Sequence, residues 1–578
     1  MSENGKTEKE TPRRSEGEKR SGTGGARPAG RKPAARADGK RPYNGRPDEK
    51  RAYGKKPDGK PGEKRDYSGK PGEDRRGGKP TGRKPDEKRS YSGKPDGGRP
   101  YGRRSDSRTG GPGKAPYGRP APKKPAKTPT EPEGLPARRT ALKVLRRVTE
   151  EGAYASLSLD DALQGSGLSG ADRRLVSRLV YDTLENLIYL DYMLSRVMAR
   201  EDTDIRLRNI LRLGVCQLLL EDRIPESAAV NTSVQLCAEI GLEGLKGVCN
   251  GILRNVIRKK DELTLPDPET EPDRYFSVRY SVPEWLGTRL RADWGDEEAV
   301  RMVSGHDTDR GITIRRNLLR TDEAGFEKIL EKKVWGREKT DLPGAWRVTG
   351  AMDIGRDADF LDGNFSIQSE SSMMACLALS PRRGAQVLDC CAAPGGKTCY
   401  ISEMMGDTGR VQAWDIHEHR VQLISAQQRR LGLENIRPIV RDAAKFREDL
   451  EGRMDAVLLD APCSGLGVMA EKPDILLRVT EESVAELVDL QARLLETVSR
   501  YVREGGTLVY STCSVLKDEN ERQVRRFLDA HPEFEAEELP ESIPEKYRRH
   551  QALGLQLTEH RDGVEGFYIC RMRRKESV

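Results

Sequence analysis

Two cysteines stand where a thiol can react. Cys463 lies in Asp460-Ala-Pro-Cys-Ser-Gly-Leu-Gly467, and Cys513 lies in Tyr510-Ser-Thr-Cys-Ser514. A free cysteine is ordinarily a small buried hydrophobe, and Cys216, Cys237 and Cys570 read that way. Cys463 and Cys513 differ because each falls in a polar loop just after a short apolar run, at the expected end of a strand. With Asp460 heading the first segment, two thiols and an acid are candidates for one cleft. The residues alone do not rank the two thiols as nucleophiles.

A third segment, Val387-Leu-Asp-Cys-Cys-Ala-Ala-Pro-Gly-Gly-Lys-Thr398, reads as strand, Gly-rich turn and helix start. Glycines let backbone approach a ligand, and the helix amino terminus offers free N–H groups. Gly396-Lys-Thr398 matches the end of a phosphate-binding P-loop. That pattern needs glycine at 391, however, which is Cys, and Pro394 removes a donor. Asp415 ends the next strand, 26 residues after Asp389, where a carboxylate can accept both ribose hydroxyls of an adenosine-containing cofactor. Asp442, in Arg441-Asp-Ala, ends the third strand similarly and could accept an adenine amino group. A lone strand-end Asp is usually a turn residue. Two in register with the glycine turn point to a cofactor pocket.

These segments require a framework in which several strand ends meet. From Gln386 the sequence alternates strands at Val387–Cys391, Val411–Asp415, Ile436–Val440, Ala456–Leu459 and Thr507–Tyr510. Between them come helices at about Thr398–Met405, His419–Leu431, Glu481–Arg503 and Asp518–Ala530. Such alternation gives an α/β fold, a mostly parallel sheet with helices on both faces and ligands at the carboxyl ends of the strands.

The preceding chain is of other kinds. Residues 137–263 are helical throughout, with Leu142, Leu145 and Val148 on one face and breaks at Gly165-Ser-Gly167 and Arg223-Ile-Pro225. Residues 264–362 read as a Pro- and acid-rich linker (Asp267–Asp273) followed by a small α+β subdomain with Pro283 opening a helix. The catalytic unit is expected over 363–578. Residues 1–136 form a basic low-complexity tail expected to be disordered. Up to Thr130 it has no Val, Ile, Leu, Phe, Trp or Cys, and carries 38 Lys and Arg against 17 Asp and Glu, a net of +21. The remainder carries a net of −12, so the overall +9 conceals a basic arm on an acidic body. The arm, with Tyr43, Tyr53, Tyr67, Tyr91, Tyr101 and Tyr117 interleaved, is either a solubilising linker or a nucleic-acid contact. No apolar run is long enough to span a membrane and no secretion signal opens the chain. The ten cysteines form no paired zinc pattern. A cytoplasmic protein with reduced thiols and no metal is expected.

The glycine segment, the Asp-Ala-Pro-Cys-Ser-Gly segment and the Ser-Thr-Cys-Ser segment, in this order, resemble the motifs of the RNA 5-methylcytosine methyltransferases of the RsmB type, which act on small-subunit ribosomal RNA. Gly363–Ser372 resembles the family's entry motif and Arg561–Tyr568 its closing strand. Ile224-Pro-Glu-Ser-Ala-Ala-Val-Asn231 and Gly247-Val-Cys-Asn-Gly-Ile-Leu-Arg254 resemble the antitermination factor NusB. The chain departs from the family at Ser369, where Asp is frequent, and at Lys472, where many members carry His.

The resemblance implies a Rossmann-like class I methyltransferase domain preceded by a NusB-like bundle, acting as a monomer on RNA, with 16S ribosomal RNA the expected substrate. It implies S-adenosylmethionine lying against Cys391, Ala392, Ala393, Pro394, Gly395, Gly396 and Lys397, with Asp415, Arg420, Asp442 and Asp460 completing the pocket. Cys513 would be the nucleophile, Cys463 would help release product, and Asp460 would serve the base edge as an acid. Lys397 has a second reading, a structural contact to Asp460. The runner-up functions are a tRNA cytosine-C5 methyltransferase and a non-catalytic RNA-binding assembly factor.

Overall fold

Helical periodicity after the tail becomes a bundle that includes Leu135–Glu151, Gly170–Glu185, Ile205–Leu219, Glu226–Glu239 and Lys246–Arg258. Leu142, Leu145 and Val148 face its core as the spacing requires, as do Leu179, Ile210 and Leu253. Ser169 and Asp204 cap helices by accepting the backbone N–H of Asp172 and Arg206. The computed structural model describes residues 131–577 except Glu201, 305–310, Met352 and 549–550, so residues 1–130 of the basic tail lie outside the described residues, while Leu135 and Pro136, placed in the tail, open the first helix. The described residues belong to one compact unit.

The expected linker is structured. Pro272–Tyr280 is already helical, and Pro283 stands just before the helix Glu284–Trp294 rather than inside it. Beyond it, β1 (Ile312–Arg316), β2 (Gly336–Lys339), β3 (Ala345–Thr349) and β4 (Phe365–Ile367) form an antiparallel sheet in the order β2-β3-β1-β4. Arg315 anchors it to the catalytic unit. Its guanidinium is fully buried, pairs with Glu403 at 2.6 Å and stacks 4.1 Å over the Tyr400 ring.

The second sheet contains β5 (Gln386–Cys390), β6 (Arg410–Asp415), β7 (Ile436–Val440), β8 (Met454–Asp460), β9 (Val502–Thr512), β10 (Phe534–Ala536), β11 (Gln551–Ala552), β12 (Gly554–Leu557) and β13 (Phe567–Arg574). Its order is β11-β12-β13-β9-β8-β5-β6-β7, with β10 on β13. The five strands β5 to β9 run parallel; the central β5 and β8 are buried on both faces, whereas the edge strand β7 exposes Arg437 and Val440. Leu458 and Val509 enter one core layer, while Val457, Leu459 and Leu508 enter the other.

The structure is less parallel than the sequence pattern suggests, because β10 to β13 all pair antiparallel. One residue links β11 to β12, and the segment 558–566 with its helical turn links β12 to β13; both are shorter than the crossover a parallel pair needs. The expected helix Glu481–Arg503 stops at Ser499, since Tyr501 and Val502 are drawn fully into the sheet core. The closing strand begins only at Phe567. Glu559–Asp562 is a short helix instead, with the backbone N–H of Thr558 donating to the Asp562 carboxylate. No helix among the described residues is long and apolar enough to cross a membrane.

Candidate active site

Parallel strands end together, so β5, β6, β7, β8 and β9 deliver their loops to one edge. After β5 the chain turns through Cys391, at φ 62°, and Gly395, at φ 106°, into the helix Gly396–Met404. Gly395 cannot carry a side chain, because a Cβ there would lie 3.0 Å from the Ile424 backbone. Gly396 faces open space, leaving the helix amino terminus accessible. Arg420 ties the turn to β6, donating to the Ala393 carbonyl at 3.1 Å and lying 3.3 Å from Asp415 Oδ2. Asp415 is nearly buried. Its Oδ1 accepts the His417 N–H at 3.0 Å, while Oδ2 accepts no hydrogen bond from the protein. Asp442 accepts the Ala444 N–H and faces Lys445 at 3.2 Å. Ile416, beside Asp415, is exposed. An open helix terminus, a buried carboxylate oxygen lacking a donor and an exposed apolar side chain suit a nucleoside-bearing cofactor.

The adjoining loops hold the thiols. Cys463 Sγ and Cys513 Sγ lie 3.3 Å apart, both half-buried. The hydrogen bond between the sulfurs lowers the Cys513 pKa, with burial and the Asp460 charge opposing and Lys397 and Lys472 assisting. The same contact, with burial, drives Cys463 well up, and the Glu519 charge adds to that. The two shifts run in opposite directions and favour Cys513 as the thiolate of the pair. Ser511 pairs with Asp460 across β9 and β8, and its Oγ donates to Asp460 Oδ1 at 2.8 Å. Lys397 Nζ donates to Asp460 Oδ2 at 2.7 Å. Burial disfavours the Lys397 ammonium, but Asp460 outweighs it and the Lys397 pKa rises.

In that geometry the Lys397 side chain turns to Asp460, the second of its two readings, and leaves its backbone at the helix terminus; both Asp460 oxygens accept hydrogen bonds, from Lys397 and Ser511. Asp415 and Arg420 meet at the turn and Cys463 meets Cys513, whereas Asp442 lies beyond β7 with Ala444 and Lys445. Cys216, Cys237 and Cys570 are buried.

Three contributors escaped the sequence reading. Ser511 gave no signal, because its place opposite Asp460 exists only once β8 pairs with β9. Lys472, noted only as a departure from the family, lies where its charge favours the Cys513 thiolate. Glu519 gave no signal, because a carboxylate between Lys517-Asp and Asn-Glu reads as surface.

Residues 376–573 match the family described as 16S rRNA methyltransferase RsmB/F, and residues 135–258 match the NusB family. A probable ribosomal RNA small subunit methyltransferase B of Bacillus subtilis is 35% identical over 76% of this chain and 98% of its own length. The Synechocystis counterpart is 33% identical over 76% of this chain and 99% of its own. Among solved structures, PH0851 superposes with a TM-score of 0.66 at 25% identity, covering 78% of this chain and 100% of that one.

Proposed function

The chain belongs to the family of ribosomal RNA small subunit methyltransferases B, and on that premise we propose that it methylates C5 of a cytosine in 16S ribosomal RNA through a covalent adduct with Cys513. The observation that carries the reading is the thiol pair at 3.3 Å beside the Lys397–Asp460 pair. S-adenosylmethionine, held by the Cys391–Lys397 turn with Asp415, Arg420 and Asp442, supplies an electrophilic methyl group when bound.

Cytosine C5 is too poor a nucleophile to take that methyl unaided. The Cys513 thiolate adds to C6, and the ring electrons pass toward N3, where the Lys397–Asp460 pair delivers a proton; C5 is thereby made enamine-like. Once Cys513 is bonded to carbon its negative charge no longer holds the proton on Cys463, which Cys463 releases to solvent. The Cys463 thiolate takes the C5 proton after methylation, the C5–H electrons re-form the C5=C6 bond, and the C6–S electrons return to Cys513. Lys397 recovers its proton from N3. The Cys463 thiol then again donates to the Cys513 thiolate.

Cys513→Ala is expected to abolish methyl transfer while retaining cofactor binding. Cys463→Ala is expected to accumulate a denaturation-resistant protein–RNA adduct. An active Cys513→Ala, with an inactive and adduct-free Cys463→Ala, reverses the roles. The NusB match favours ribosomal RNA over tRNA, and bisulfite sequencing of both RNAs from a strain lacking the protein distinguishes them. On this reading the protein works as a cytoplasmic monomer. Retention of both thiols and all the pocket acids argues against an inert assembly factor.

A further inference from the structure

Glu519 is fully buried, and four neutral donors converge on it. Its Oε1 accepts the Ser464 N–H at 2.8 Å and Gln491 Nε2 at 3.0 Å. Its Oε2 accepts Ser464 Oγ at 2.5 Å and Ser514 Oγ. Ser464 and Ser514 directly follow the two active-site cysteines, and their hydroxyls lie 3.1 Å apart. One carboxylate thus fastens both thiol loops from behind, beneath the 3.3 Å contact between the sulfurs. Tyr510, which ends the run leading to Cys513, donates its hydroxyl to the Glu519 carbonyl at 2.7 Å, fixing the carboxylate's own backbone to the same loop. A carboxylate buried this deeply among neutral donors is held by all of them together, so loss of any one loosens the set.

We propose that Glu519 is a positioning residue for methyl transfer: it locks the two cysteine loops in register and fixes which thiol is the nucleophile. The charges around the pair are asymmetric. Glu519 bears on Cys463, whereas Cys513 faces the Asp460 carboxylate offset by the Lys397 and Lys472 ammonium groups. An uncompensated negative charge at one sulfur and a compensated one at the other favour the proton on Cys463 and the thiolate on Cys513. Glu519 touches neither substrate nor cofactor in this scheme. It acts through the geometry and polarity of the thiols, and the inference rests on the proposed role of Cys513.

The test is the pH dependence of alkylation by iodoacetamide, resolved for each cysteine by mass spectrometry, in the full chain. In the unaltered protein Cys513 is expected to react at lower pH than Cys463. In Glu519→Gln, which replaces two acceptor oxygens with one and sets an amide N–H against the donors, the two profiles should converge. Turnover should fall by about a hundredfold, the cost of an ångström-scale misplacement, with cofactor affinity within about twofold. Glu519→Asp should restore part of both the contrast and the rate. If Glu519→Gln fails to bind cofactor, Ser464→Ala and Ser514→Ala carry the test, because each removes one hydroxyl and leaves the carboxylate in place. Unchanged profiles in folded Glu519→Gln, or in both serine variants, overturn the inference alone. A more reactive Cys463 in the unaltered protein overturns it together with the nucleophile assignment.

Discussion

Asp389, at the end of β5, should make the catalytic unit less stable as pH rises through neutrality. Its side chain is fully buried; Oδ2 accepts Thr398 Oγ1 at 2.5 Å and Oδ1 has no partner. Burial raises its pKa from 3.8 to about 7, with the Thr398 hydrogen bond opposing. A carboxyl group that binds its proton more tightly when folded contributes nothing below its unfolded pKa, where both states are protonated. Folding stability then declines until pH passes the folded value and is constant above it. At about 1.36 kcal/mol per pH unit the full cost is about 4 kcal/mol, of which roughly 2.5 kcal/mol develops from about pH 5 to about pH 8. Asp389→Asn keeps an acceptor for Thr398 but cannot ionise. Its stability relative to the unaltered protein should therefore rise by that roughly 2.5 kcal/mol across the interval. Urea unfolding followed by tryptophan fluorescence suits the measurement, because all five tryptophans lie between Trp285 and Trp414, outside the helical bundle. Groups elsewhere titrate alike in both proteins and cancel in the difference. A difference that does not vary with pH would refute the reasoning.

Removing the buried Arg315 guanidinium as Arg315→Met leaves Glu403 uncompensated and should cost about 3–5 kcal/mol, visible as a lowered urea midpoint in the same assay. Asp415→Ala and Asp442→Ala should each weaken S-adenosylmethionine binding by about 1–3 kcal/mol in calorimetry, and unchanged affinity in both removes them from the pocket. Deleting residues 1–130 should flatten the salt dependence of RNA binding while turnover at saturating RNA holds, because Lys and Arg contacts to phosphate release counterions. An identical slope makes the tail a solubilising linker.

Local chemistry was legible in the sequence wherever one short segment contains it. Val387–Thr398 announces a strand, a turn and a helix terminus within twelve residues, because glycine and a helix start act on their immediate neighbours. The apolar runs of β5, β8 and the second half of β9 are legible because strands covered on both faces must be continuously hydrophobic. The motifs' order, through its resemblance to known methyltransferases, gave the reaction and ranked Cys513 above Cys463. Folding decided what depends on residues distant in sequence. Residues 460 and 511 become neighbours only when β8 pairs with β9, so Ser511 could not be assigned beforehand. The engagement of Lys397 by Asp460, 63 positions away, decided between the two readings of that side chain. Glu519 looked like a surface residue and is buried, because its donors come from Ser464, Gln491 and Ser514 in three separate segments. Sequence patterns report a residue's surroundings along the chain, but a thiol's ionisation depends on the charges and donors around it in space, and only the tertiary structure brought those together.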